Sequence, residues 1–174
     1  MKPKIQPTNR EVRMADDEFI VSKTNTKGVI TYVNRTFMRI SGYSEPELMN
    51  IQHNIIRHPD MPRGAFRLLW NTLRENREFF GYVKNMCKDG GYYWVFANVT
   101  PDIDERGQLR GFYSVRRQPT QKAIETIVPI YRKMCEIEQQ AGPKEGPNRS
   151  IAYLESVLTD ANISYQDFVL SLDH

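Results

Sequence analysis

The chain has 174 residues, 40% of them hydrophobic, with 24 Lys and Arg against 21 Asp and Glu. That length buries one main core and a small appendage, and the basic residues lie scattered among acidic ones, which leaves no footprint for nucleic acid. Cys87 and Cys135 form no CxxC pair and no disulfide framework, no apolar run approaches the roughly 20 residues that cross a bilayer, and Met1-Lys2-Pro3-Lys4 leads into polar sequence. The expectation is a soluble, cytoplasmic chain with no direct membrane insertion.

Residues 1–17 are polar and aperiodic and read as an N-terminal cap or mobile arm. Phe19 to Lys23 and Val29 to Val33 are β-branched and aromatic runs around Asn25-Thr26-Lys27-Gly28, the chemistry of a hairpin. Asn34 caps a short helix through Ser41, and Ser44 with Glu47 makes a capping box for a second that buries Leu48. Beyond His53 to Pro62, the spacing of Phe66, Leu69, Trp70 and Leu73 predicts a longer helix from Arg63 to about Asn76 with one apolar face. Three β segments follow, Phe80 to Cys87, Tyr92 to Thr100 and Leu109 to Arg117, joined by turn-rich Lys88 to Gly91 and Pro101 to Gly107. The order ββααααβββ demands an antiparallel sheet with helices on one face, an α+β domain over residues 18–118.

Residues 119–141 carry the seam Ala123, Ile127, Ile130, Met134 and Ile137 of a flanking, signalling helix that packs on another helix. Pro129 predicts a kink or break near Thr126 to Val128. Residues 142–149, rich in Gly and Pro, read as a linker, and 150–174 as two short amphipathic helices, the second with Ser164 and Asp167 as candidate caps. Such a tail cannot bury its apolar faces alone and must fold back or meet another chain.

The string His53-Asn54-Ile55-Ile56-Arg57-His58-Pro59-Asp60-Met61-Pro62 closely resembles a segment of the PAS domains of bacterial aerotaxis receptors. The likeness continues through Ala65-Phe66, Leu69-Trp70, Val83-Lys84-Asn85, Tyr93-Trp94-Val95, Ala97-Asn98 and Gly111 to Arg116, and covers about residues 15–135. The resemblance implies a PAS fold with a five-stranded antiparallel sheet, helices on one face and flanking C-terminal helices. It also implies bound FAD, a signal set by the flavin's redox state, and a chemotaxis-type signal transducer as partner. A membrane anchor and a methyl-accepting coiled coil are not among these residues, so a standalone or excised sensor that docks on a separate transducer is expected, or self-association as a dimer through the flanking helices.

A flavin needs apolar walls, hydrogen-bonding groups at the ring edge, and cations or backbone amides for its phosphates. Arg57 offers a planar fork for phosphate and His58 a donor beside it. Asp60 caps N–H groups or orients Arg57 as readily as it touches a ligand. Trp70 either packs in the core or stacks on the cofactor. Asn85 and Asn98 present amides that suit a flavin edge, unless strand alternation turns them to solvent; Asn85 is the stronger candidate. His53 and Asn54 either contact the cofactor or shape their turn.

FMN and haem are the lesser cofactor candidates, haem through His53 or His58. A flavin–cysteine photoadduct is disfavoured because His53 to Pro62 holds no cysteine. A cofactor-free dimerisation module stays open, and a metal-dependent hydrolase built on His53, His58 and Asp60 lacks a defined ligand set. No enzymatic turnover is expected.

Overall fold

The computed structural model describes residues 4–173. Strands β1 (Ile20–Asn25) and β2 (Ile30–Val33) form the first hairpin. In its turn Asn25 Oδ1 accepts from the Lys27 and Val29 amides, and Gly28 takes φ 79°, a left-handed conformation natural to glycine. Helix α1 (Arg35–Ser41) is capped by Asn34, whose Oδ1 accepts from Phe37 N at 3.0 Å. In α2 (Glu45–Leu48), Glu47 Oε2 accepts from both the amide and the hydroxyl of Ser44 at 2.9 Å. A 3-10 turn (His53–Ile56) and helix α3 (Arg63–Arg74) complete the insert before β3 (Phe79–Met86), β4 (Tyr92–Ile103) and β5 (Leu109–Arg117).

The five strands form one antiparallel sheet in the order β2-β1-β5-β4-β3. Strand alternation divides it into two faces. Asn85 pairs with Tyr93, Val83 with Val95, Ala97 with Arg116, and Val99 with Ser114, and these residues share the face that meets α1, the 3-10 turn and α3. Tyr82, Trp94 and Phe96 point the other way, into a second core.

That second core is made by the C-terminal segment, α4 (Gln121–Asp160) and α5 (Tyr165–Ser171). Ala123, Ile127, Tyr131, Met134, Leu154, Leu158 and Val169 are buried against the sheet and against α3. Three tyrosines stitch the layers: Tyr131 donates to Tyr82 O at 2.7 Å, Tyr82 to Val169 O at 2.9 Å, and Tyr165 to Phe80 O at 2.9 Å. Of the flanking seam, Ala123, Ile127 and Met134 are buried within the chain, and Ile130 and Ile137 are partly buried. The other half of this face, over β5, β1 and β2, stays open, with Tyr32, Tyr113 and Val115 exposed.

Two expectations about this segment are corrected. No break occurs at Thr126 to Val128: α4 runs through Pro129, because burial of Ile127, Tyr131 and Met134 offsets one missing hydrogen bond. Residues 142–149 are not a linker. The only non-helical residue is Gly142 (φ 80°, ψ 173°), and Pro143 restarts the helix at its first position, where the lost N–H has no partner to miss. Gly146 then meets the Glu138 backbone so closely that a Cβ would lie 2.9 Å from Glu138 Cα.

The N-terminal arm runs along the start of β4. Thr8 N donates to Gly90 O, Tyr92 N to Arg10 O and Val12 N to Tyr92 O at 2.7–2.9 Å, and Met14 is buried in the first core. The first three residues of that arm lie outside the described residues, as does His174 at the end of the tail.

Candidate functional site

Between the 3-10 turn, α3 and the inner sheet face lies a cavity of about 210 Å³. One wall is apolar: Phe66, Leu69, Trp70 and Leu73 from α3 face Val83, Val99 and Phe112 of the sheet. The i, i+3, i+4, i+7 spacing puts those four side chains on a single helix face. Trp70 meets Phe112 edge-on with ring centroids 5.5 Å apart. Trp70 is thus both core and cavity wall.

The polar groups come from the other elements. Asn85, 4% exposed, lies on β3 beside the Tyr93 hydroxyl. Its backbone bridges that of Arg57, which ties the segment before α3 to the sheet. The Arg57 guanidinium sits 3.7 Å from the Phe66 ring centre, and its pKa is lowered by burial and then by the Arg63 charge. Asn54 and Gln52 sit at the 3-10 turn. His53 Nε2 lies 3.1 Å from Ser22 Oγ and 3.3 Å from Arg116 Nη1, while its ring stacks on Phe37. Burial, followed by the Arg116 charge, pushes the His53 pKa down to about 3, so the ring is neutral at physiological pH.

Of the eight residues expected at a site, His53, Asn54, Arg57, Trp70 and Asn85 converge on the cavity. The remaining three do not line it. His58 is buried, its Nδ1 accepts from Asp60 N at 3.0 Å, and its ring meets Tyr92 edge-on. The Asp60 carboxylate is exposed and accepts from Lys84 Nζ at 2.7 Å. Asn98 lies on the opposite sheet face, where its amide donates to Glu78 Oε1 at 2.8 Å. A single-residue step along a strand reverses the face, which separates Asn98 from Ala97 and Val99.

Sequence reasoning missed Arg116 and Ser114. Arg116 is 3% exposed and lines the cavity, with Nη2 donating to Ser22 Oγ at 2.5 Å. The available signal was parity: Phe112, Ser114 and Arg116 alternate along β5, so placing one of them inward places all three there.

Neither cysteine of the chain lines the cavity. Cys87 is buried with its thiol donating to Ile40 O, and Cys135 sits by Asp60 O; burial pushes each thiol up to about 11. Among the described residues no cluster of three or more His, Cys, Asp or Glu side chains forms a metal site, and no helix is long and apolar enough to cross a membrane.

A five-stranded 2-1-5-4-3 sheet enclosing a cavity beneath short helices defines a PAS-type sensor domain, and residues 30–116 match the family model described as PAS fold. The chain belongs to this family. It is 39% identical over 127 residues to the aerotaxis receptor of Escherichia coli (strain K12), across 73% of this chain and 25% of that protein. It is 31% identical over 97 residues to the nitrogen fixation regulatory protein of Klebsiella pneumoniae, across 56% of this chain and 20% of the relative. The chain thus spans about a quarter or less of these relatives. Among solved structures, the light state of the blue-light photoreceptor Aureochrome1 LOV superposes with a TM-score of 0.57 at 18% identity, over 66% of this chain and 91% of that one. That likeness establishes the fold.

Proposed function

We propose that the cavity binds a flavin, FAD in particular, and that the domain reports redox or oxygen status to a chemotaxis-type transducer in the cytoplasm. The observation that carries this reading is the cavity itself, in which an apolar, aromatic slot ends in Asn85, His53 and Arg116. The residues fit the group. Phe66, Leu69, Trp70 and Val99 suit a flat ring, and Asn85 both donates and accepts. Arg116 Nε is buried without a hydrogen-bond partner among the described residues, a donor that a ligand would satisfy. Arg57, at the turn before α3, is the residue for the phosphate side. FAD rather than FMN follows the resemblance of the Arg57-His58-Pro59-Asp60 segment to aerotaxis receptors. The relatives above, an aerotaxis receptor and a nitrogen fixation regulator, support a sensory rather than an enzymatic role.

A flavin supplies reversible electron uptake that changes charge and protonation at its ring nitrogens. The protein's part is to respond. The Asn85 amide reorients to keep its hydrogen bonds, and each altered buried bond is worth roughly 1–3 kcal/mol, enough to shift a two-state population tenfold or more. Helix α3, which walls the cavity, carries the change to α4, because Glu138 of α4 caps its first turn. The haem reading is less well served, since His58 is outside the cavity and His53 Nε2 faces a cation.

Absorption spectroscopy of the freshly purified protein, followed by release and chromatographic identification of the chromophore, tests the proposal. A flavin spectrum with released FAD is expected. A haem band would transfer the site to gas binding, and failure to take up FAD on reconstitution would leave an interaction module.

A further inference from the structure

Arg116 is a buried cation that pairs with no carboxylate among the described residues. It extends from β5 into the cavity, contacts Ser22 on β1 and His53 on the 3-10 turn, and lies 4.8 Å from the ring centre of Phe37 on α1. Its neighbour Arg117 pairs with Asp173 on the opposite face, whereas the groups around Arg116 among the described residues, Ser22, His53, Phe37 and the Tyr93 phenol, are all neutral. Burial lowers its pKa to about 10, which leaves it protonated at neutral pH. The other titratable groups facing the space are neutral His53 and cationic Arg57, and no carboxylate lines it. A charge buried without a counter-ion costs stability even when neutral groups hydrogen-bond it. Its retention at the polar end of a cavity indicates that the ligand brings the negative charge.

We infer that Arg116 is the anion-stabilising residue of the cavity and fixes the charge of the bound ring, holding the reduced flavin as an anion. The inference rests on the flavin reading above. Neutral oxidised flavin gains little from a guanidinium. Two-electron reduction by an external donor, dithionite in the test below, adds two electrons with one proton to the central nitrogen, and the remaining negative charge stays on the ring beside Arg116. His53 cannot supply the second proton, since its Nε2 faces the Arg116 donor and the ring is already neutral. Differential binding of the two charge states then raises the reduction potential, and by linkage the reduced flavin binds more tightly than the oxidised one.

The midpoint potential of bound FAD, measured against pH by anaerobic titration with dithionite in the wild type, Arg116→Gln and Arg116→Lys, tests this. One proton per two electrons gives a slope of about 30 mV per pH unit, and two protons about 59 mV. The wild type and Arg116→Lys are expected to hold the one-proton slope into mildly acidic pH. Arg116→Gln should take up two protons there and bind reduced FAD at least tenfold less tightly relative to oxidised FAD, which lowers its potential by about 30 mV or more. An unchanged slope and potential in Arg116→Gln overturns the inference while leaving FAD binding intact. A wild type that never binds FAD overturns the flavin reading and this inference with it. Thermal denaturation of the apoproteins decides the case in which Arg116→Gln loses FAD altogether. An apo variant at least as stable as wild type supports a ligand-directed charge, and a less stable one shows a structural arginine and overturns the assignment.

Discussion

Glu138 on α4 accepts hydrogen bonds from the backbone amides of Arg63 and Gly64, both at 2.8 Å, and so caps the helix that walls the cavity. Ser150 donates to the same carboxylate at 2.7 Å from beyond the Gly142 kink. A carboxylate at a helix N-terminus satisfies orphan donors and complements the helix dipole. Glu138→Ala should lower stability by about 1 kcal/mol and expose α4. Gly64→Ala should cost more, about 1–3 kcal/mol, since its Cβ would lie 2.2 Å from Ser150 Oγ and 3.2 Å from Pro147 O. Urea denaturation, with hydrogen exchange along α4, measures both.

Acid should weaken the apoprotein through His53. Its folded pKa, about 3, lies below the ordinary 6.5, so the unfolded chain binds the extra proton. The resulting stability is complete above pH 6.5 and is lost as pH falls toward 3. Its contribution to the slope approaches about 1.4 kcal/mol per pH unit. His53→Gln should flatten the stability profile between those limits relative to wild type; parallel profiles would contradict the assignment.

Asn85 and Asn98 make a matched pair, one in the cavity and one on the opposite face. Asn85→Ala should weaken FAD affinity about tenfold, or 1.4 kcal/mol, and shift the flavin absorption bands. Asn98→Ala should leave both unchanged. Equilibrium titration of the two apoproteins with FAD makes the comparison.

Blue light should produce no thiol adduct on the flavin, although solved structures of similar fold include blue-light photoreceptors. Cys87 is committed to Ile40 O and Cys135 lies by Asp60, away from the cavity lining. Illuminated spectra of Cys87→Ala and Cys135→Ser are expected to match wild type; a bleached flavin band lost in either variant would contradict this.

Local chemistry made much of the fold legible. Asn34, Ser44 with Glu47, and Ser164 cap helices as their side chains dictate, and the apolar spacing in α3 marks the cavity wall. What stayed hidden depends on tertiary context. Pro129 is tolerated because its helix is pinned by buried neighbours, and Gly142-Pro143 restarts a helix that its composition marks as linker. At the site, five of the expected residues line the cavity, but position in the motif could not separate Arg57 from His58 and Asp60, whose side chains leave the same segment in other directions. Arg116 reads in sequence as one of two basic residues at a strand end, and only sheet parity distinguishes it from Arg117.

The location of the flavin is the central claim, and amide and side-chain NMR of the apoprotein titrated with FAD tests it most directly. Shifts concentrated on Asn54, Arg57, Trp70, Asn85 and Arg116, with Asn98 and the open β5-β1-β2 face unmoved, are the predicted result. Absence of binding, or shifts centred away from the cavity, would contradict it.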